Sequence, residues 1–328
     1  MRISFFGLPA LFFVILNKNM GLFKKFFCAA QVAADDEGEK KENRKFQTLR
    51  DDGVRAMRMG ETKFATQCFE EALEINASDI QTIGFLAEAR LRMQNYIEAL
   101  PLLITLAAEQ PDNFEIQLLL TQVQGKTGDY EAMHRSVSGL LASHANDARV
   151  PYMAAESAHG KGDDFAAIAF LTQAIALHED YVEARHLRAE ILAEMGQWRE
   201  VLEDTAVLTK LFPDNDEFWV MHGNALTNIG NIETAEIAYI QAMANNPFNR
   251  EAVLSLGRLF EQTSRLDKAL VLYDEVIEAQ PDFAEIYKQR GGVKHRLHDY
   301  IGAADDLKRA LEINPDLVAN FEGLHSYA

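Results

Sequence analysis

Small and apolar side chains recur along most of this chain with a period of 34 residues. One column of the register reads Gly53, Ala87, Thr121, Ala155, Ala189, Gly223, Gly257 and Gly291. A second reads Ala65, Ala99, Met133, Ala167, Val201, Ala235, Ala269 and Ala303, and a third runs from Ala72 through Ala174 and Ala242 to Ala310. Five of the eight prolines (Pro111, Pro213, Pro247, Pro281 and Pro315) share one further column. No insertion or deletion interrupts the register from Phe46 to Leu317. Within a period, a glycine such as Gly230 supplies the permissive backbone of a turn. A proline such as Pro247 stops one helix and sets up the next. A period of this length marks a repeat array, in which each repeat contacts its neighbours and the core is a continuous ribbon.

The clearest period is 216–249, DEFWVMHGNALTNIGNIETAEIAYIQAMANNPFN. Trp219, Gly223 and Leu226 form W-x3-G-x2-L, Ala235 and Tyr239 form A-x3-Y, and Pro247 closes the run. This pattern resembles a tetratricopeptide repeat (TPR), and the resemblance extends over eight tandem repeats, 46–317. It implies an all-α fold, a right-handed α-solenoid in which each repeat is two helices joined by a turn. Gly223 and Ala235 would lie where the helices of one repeat approach, as would Gly257 and Ala269 one repeat later, and Ala242 where the next repeat packs. Departures from the pattern predict local differences. Pro101 falls inside the second helix of its repeat and bends it. Thr121 and Met133 replace small residues and hold their two helices further apart. Leu307 stands in a column that is usually aromatic.

The ends lie outside the register. Residues 1–34 hold the apolar run ISFFGLPALFFVIL at 3–16, which is short for a spanning helix. One reading is a cytoplasmic protein, weakly membrane-associated through residues 3–16, or a chain starting at Met20 with the basic, amphipathic MGLFKKFF. The alternative is an exported or membrane-anchored protein, with Val32-Ala33-Ala34 as a small-residue cleavage site. Residues 35–45, DDEGEKKENRK within the run, read as a charged linker, and 318–328 as a short C-terminal cap. Phe321 and Leu324 fall where a ninth repeat would pack, so the C-terminal end is a candidate for self-association.

The net charge of −18 excludes non-specific nucleic-acid binding, which needs a basic face. Two cysteines, Cys28 and Cys68, make no disulfide framework or metal-ligand spacing. Phosphate-loop, nucleophile-elbow and zinc-protease motifs are missing from the sequence. The glycines of HGKGDD, 159–164, fall at an interhelix turn, and His295 and His298 stand three apart without a third ligand. Glu156, His159, His186 and Glu190 could approach across two repeats, either as metal ligands or as a plain polar lining. The chain therefore reads as non-catalytic, with no cofactor and no metal.

Function then falls to the surface. The TPR resemblance turns the second, fifth, sixth, ninth, twelfth and thirteenth residues of each first helix toward an inner, concave groove. Carried over, this gives an apolar strip of Phe85, Leu118, Leu119, Tyr152, Met153, Leu187, Val220, Met221 and Leu254. Beside it lie Glu88, Gln122, Glu156, His186, Glu190, Asn224 and Arg258. The alternative for each apolar side chain is packing against a neighbouring helix. A partner complementary to this strip is a protein or peptide segment with spaced apolar residues and Lys or Arg between them. The basic clamp by which some TPR proteins hold acidic chaperone tails does not form, since Asn224 is followed by Ser255, Glu285 and Gln289. Two functions remain: an interaction scaffold that holds a partner segment in the groove, or a tethered or exported structural component of envelope assembly or secretion.

Overall fold

The computed structural model describes residues 39–320. The expectations placed on residues 1–34 and on Phe321 and Leu324 lie outside the described residues. The chain divides into two compact bodies, Met1–Leu140 and Leu141–Ala328. Among the described residues the secondary structure is helical, in eight pairs. In the N-terminal body α1 (39–59) pairs with α2 (Thr62–Ile75), and α3 (Ile80–Arg92) with α4 (Tyr96–Glu109). The third pair is α5 (Phe114–Lys126) and α6 (Tyr130–His144), within which the division between the bodies falls. The C-terminal body continues with α7 (Arg149–Gly160) and α8 (Asp164–Leu177), then α9 (Val182–Glu194) and α10 (Trp198–Leu211). Next come α11 (Asp216–Asn228) and α12 (Ile232–Asn245), and α13 (Arg250–Gln262) and α14 (Leu266–Ala279). The last pair is α15 (Ala284–Arg296) and α16 (Tyr300–Ile313), followed by a 3-10 turn at Pro315–Asn320. The fold is an all-α solenoid of tandem helix–turn–helix repeats. Residues 39–45, expected as linker, are exposed but belong to α1.

Each hairpin turns through one left-handed residue, and all eight fall on a single column. Gly60, Gly128, Gly162, Gly196 and Gly230 have φ between 71° and 83°, and Gln94, Ser264 and His298 adopt φ of 57°, 58° and 67°. Glycine takes this conformation freely, whereas a side chain there is strained. The turn between repeats is fixed by side chains instead. The backbone N–H groups of Thr82, Phe218 and Ala252 donate to Asp79 (2.8 Å), Asn215 (3.0 Å) and Asn249 (2.8 Å), capping the first helices of three repeats.

Within a repeat the helices meet by volume exchange at a separation of 16 residues. A side chain at Gly53 would collide with the ring of Phe69, at Gly223 with Tyr239, and at Gly257 with Tyr273. Where the first position is larger, the second shrinks: Ala87 is matched by Leu103, Thr121 by Val137, and Ala155 by Leu171. This corrects the expected pairing of Gly257 with Ala269 and of Gly223 with Ala235. The glycines accept an aromatic ring one turn further along the second helix. Met133, fully buried, finds its room over Gly125, where an added methyl would meet the thioether. That glycine lies off the small-residue columns.

Two buried carboxylates brace the C-terminal body. Asp204 has a fully buried side chain and accepts from Arg188 through Nε and Nη2 (both 2.7 Å) and from Arg185 (2.8 Å). Three periods later Asp306 accepts from Arg290 through Nε (2.9 Å) and Nη2 (2.5 Å), with Lys294 at 2.8 Å. The third donor of each arginine reaches back to the preceding second helix, to Thr172 (2.9 Å) or Asp274 (2.6 Å). Burial opposes ionisation of Asp306, yet hydrogen bonds from Arg290 and Lys294 prevail and hold its carboxyl below the usual range.

These contacts give three expectations. Gly257→Ala should cost about 1–3 kcal/mol by overpacking. Tyr273→Leu in the same chain should recover part of this, a coupling that a double-mutant cycle of urea unfolding reads directly. Strictly additive effects would show that the ring does not need the glycine. Ser264→Gly should stabilise by about 1 kcal/mol, measured the same way, because it relieves the left-handed strain. Asp306→Asn should cost about 3–5 kcal/mol near neutral pH, since two cations lose their counter-charge in the interior. The folded value of Asp306 is depressed, so its contribution is complete above the unfolded value of about 3.9 and is lost as pH falls through the folded one. Unfolding curves of parent and variant should therefore converge on acidification.

Candidate functional site

The described first helices of the C-terminal body expose one face each, and the residues at its centre are placed by the packing beneath them. The ring of Tyr239 lies against Gly223, which brings its hydroxyl to the Oδ1 of Asn224 (2.8 Å). Thr227 shares that hydroxyl at 3.0 Å. The amide of Asn224 then donates to Oε1 of Glu251 on α13 (3.1 Å), fixing that carboxylate at the mouth of a cavity. The cavity holds about 550 Å³. Its floor is apolar, from Ile191, Trp198, Val220 and Met221, and four carboxylates surround it: Glu190, Glu194, Glu217 and Glu251. His159, His186, Asn224 and Asn249 complete the polar lining, and among the described residues no lysine or arginine contributes.

Five residues of the expected groove meet here: His186, Glu190, Val220, Met221 and Asn224. His186 lies 3.6 Å from Glu190, one helical turn on, and its ring packs 5.4 Å from Phe218. To one side, Tyr152 and Leu187 are half-buried against the cluster around Ala155 and Leu171. The hydroxyl of Tyr152 donates to Glu156 (3.3 Å), and its ring stands 5.2 Å from Tyr181. Burial, with Glu183 and Glu156 nearby, pushes the Tyr181 phenol up to about 12. To the other side, Leu254 is half-buried against the core, and the Arg258 guanidinium folds onto the Leu254 carbonyl (3.2 Å) and Ser255 (3.3 Å). In the N-terminal body Phe85 is half-buried, stacked on Phe69 at 5.6 Å, and Glu88 pairs with Arg92 at 2.6 Å. Gln122 is exposed and Leu119 half-buried.

Leu118, Met153 and Val220 are at most 7% exposed, which corrects their expected place on an open apolar strip. The first helix is packed on two sides, and these three fall on the side taken by a neighbour. Val220 still floors the cavity. Of the four residues considered as metal ligands, His159, His186 and Glu190 line the cavity and Glu156 does not. His159 donates from Nδ1 to the Asp164 carboxylate (2.7 Å). Among the described residues no three His, Cys, Asp or Glu side chains are placed to hold a metal ion. Nor is any described helix long and apolar enough to cross a membrane.

Residues beyond the sequence reading complete the site: Glu194, Trp198, Glu217, Asn249 and Glu251, with His159 moved from ligand to lining. Glu194, Glu217 and Glu251 were legible, since they occupy the thirteenth or second position of their first helices, and the second column repeats glutamate at 183, 217, 251 and 285.

Tandem helix–turn–helix pairs with a lined inner cavity define an α-solenoid repeat protein. A tetratricopeptide repeat family model matches residues 220–284, and one described as a bacterial transcriptional activator domain matches 153–245. The helix pairs over 220–284 are thus similar to tetratricopeptide repeats, and the other described pairs repeat the same hairpin. The TPR repeat-containing protein BH2049 of Halalkalibacterium halodurans is 22% identical over 171 residues, 52% of this chain and 77% of that protein. The human protein O-mannosyl-transferase TMTC1 is 26% identical over 154 residues, 46% of this chain. That match spans only 18% of the transferase. The solved C-terminal part of a TPR repeat-containing protein from Cytophaga hutchinsonii has the same fold, with a TM-score of 0.61 at 14% identity, over 72% of this chain and 96% of that one.

Proposed function

We propose that this protein is a non-catalytic interaction scaffold whose inner cavity, built on α9, α11 and α13, holds a segment of a partner protein with apolar residues and Lys or Arg between them. The observation that carries this reading is the cavity's lining, four carboxylates over an apolar floor with no cation among them. Burial of the ligand's apolar side chains against Met221 and Trp198 supplies most of the affinity. The carboxylates select against acidic segments and speed encounter. Tyr152, Leu187 and Leu254 extend the apolar surface on either side, and Glu156 the acidic one. A chain of this kind works by holding its partner, and the packing beneath the cavity keeps it preformed, which lowers the ordering cost of binding.

Affinity capture followed by mass spectrometry supplies the partner, and surface plasmon resonance on variants tests the mode. Glu190 and Glu217 are exposed, so reversing both should leave the fold intact. Glu190→Lys with Glu217→Lys should slow association about tenfold at low salt and flatten its salt dependence. Met221→Ala should instead speed dissociation. An association rate unchanged by the double reversal would place the binding face elsewhere.

A further inference from the structure

The second helices of repeats six and seven leave a groove of their own. Between α12 and α14, over α13, lies a cleft of about 460 Å³ with Ile240, Met243, Phe260, Val271 and Leu272 in its walls. Ile240 and Val271 are 50% and 57% exposed, and Ile237, one turn from Ile240 on the same face, is 65% exposed. Three large aliphatic side chains on adjoining helices in open solvent exceed the scattered apolar surface that folding leaves behind.

The electrostatics of the rim identify what fits. Arg265 and Lys268 are engaged within the protein: both pair with Glu236, at 2.5 and 3.5 Å, and both lie over the Phe260 ring, at 4.8 and 5.6 Å. Asp267 and Glu275 line the same cleft, are exposed, and have no ion-pair partner among the described residues. Together α12 and α14 carry six carboxylates against one lysine. A second copy of this chain would bring the same carboxylates to the interface, and like charges across it are repulsive. A cleft between two parallel-running second helices accepts a third helix, whose side chains at i, i+3 and i+4 fill it as a continuous stripe.

We propose that this cleft is a second docking site, for an amphipathic helix of a partner protein whose apolar stripe is flanked by lysine or arginine. It is distinct from the inner cavity. Glu251 lines the cavity and Phe260 the cleft. Their separation of nine positions on α13 amounts to about 2.5 turns, which puts them on opposite sides of the helix. The docking does not depend on what the cavity binds.

Methyl NMR of the full chain tests this, with isoleucine, valine and methionine methyls labelled. The probe is a synthetic helix of leucine and lysine, 14 residues long to match α12, with leucines at i, i+3 and i+4. The Ile240 and Val271 signals should shift and saturate with it, and the same peptide with glutamate for lysine should leave them in place. Ile240→Glu with Val271→Glu should weaken the binding read at the Met243 methyl about tenfold or more. Asp267→Lys with Glu275→Lys, two exposed charge reversals, should weaken it without touching the apolar floor, and melting curves report whether each variant is folded. A shift confined to the Met221 methyl, with Ile240 unmoved, overturns the proposal. So does equal binding of the glutamate peptide. An Ile240 signal that moves with protein concentration alone overturns the choice of partner in favour of a second copy.

Discussion

The Tyr239 ring lying on Gly223 is the contact from which the rest of the inner face follows. No other residue than glycine leaves room for the ring, and only the ring carries a hydroxyl far enough to meet Asn224. Asn224 in turn holds Glu251 of the next repeat. A steric requirement within one hairpin thus orients a carboxylate on its neighbour, and the cavity inherits its shape from core packing. The same rule governs two other hairpins with a different outcome. Tyr273 over Gly257 sends its hydroxyl to Glu261 (2.9 Å), and Phe69 over Gly53 sends none. The chain varies its inner surface by varying one packed pair.

The buried Arg–Asp contacts serve a different purpose from the apolar core. Taking such charges out of water costs nearly as much as their attraction returns, so they are weak sources of stability. What they supply is register. Arg188 reaches Asp204 within its own repeat and Thr172 on the repeat before, and Arg290 repeats this with Asp306 and Asp274. A slip of one hairpin against the next would leave a charge buried and unpaired, the costly outcome. These two sites pin the stacking where apolar columns alone would tolerate sliding.

The repeat architecture was legible in the sequence because its constraints are steric and periodic. A left-handed turn residue and a small residue at each helix approach must recur wherever the hairpin does. The pairing of Gly223 with Tyr239 rather than Ala235 was less legible, because the column assigns a position to the interface without saying which atom fills it. The Arg188–Asp204 clamp escaped for a related reason. Its columns are mostly apolar elsewhere, as at Ala154 and Leu256, and an isolated charge there reads as surface until its partner sixteen residues on is seen. The inner strip rests on direction alone. Position along a first helix predicts direction, but not the depth to which the neighbouring helix covers Leu118, Met153 and Val220. Trp198 opens a second helix, which a rule confined to the first helix does not reach, whereas Glu194, the thirteenth residue of its first helix, lay within that rule.

The central claim is that the first helices of the C-terminal body carry the ligand. A photo-reactive amino acid at position 221, on the cavity floor, tests it against one at 203, exposed on α10 and outside the cavity. Irradiation of the captured complex followed by mass spectrometry identifies the joined peptides. The account predicts cross-links from position 221 to a partner segment rich in apolar and basic residues, and few from 203. Cross-links from 203 with none from 221, or a 221-linked segment dominated by Asp and Glu, would contradict it.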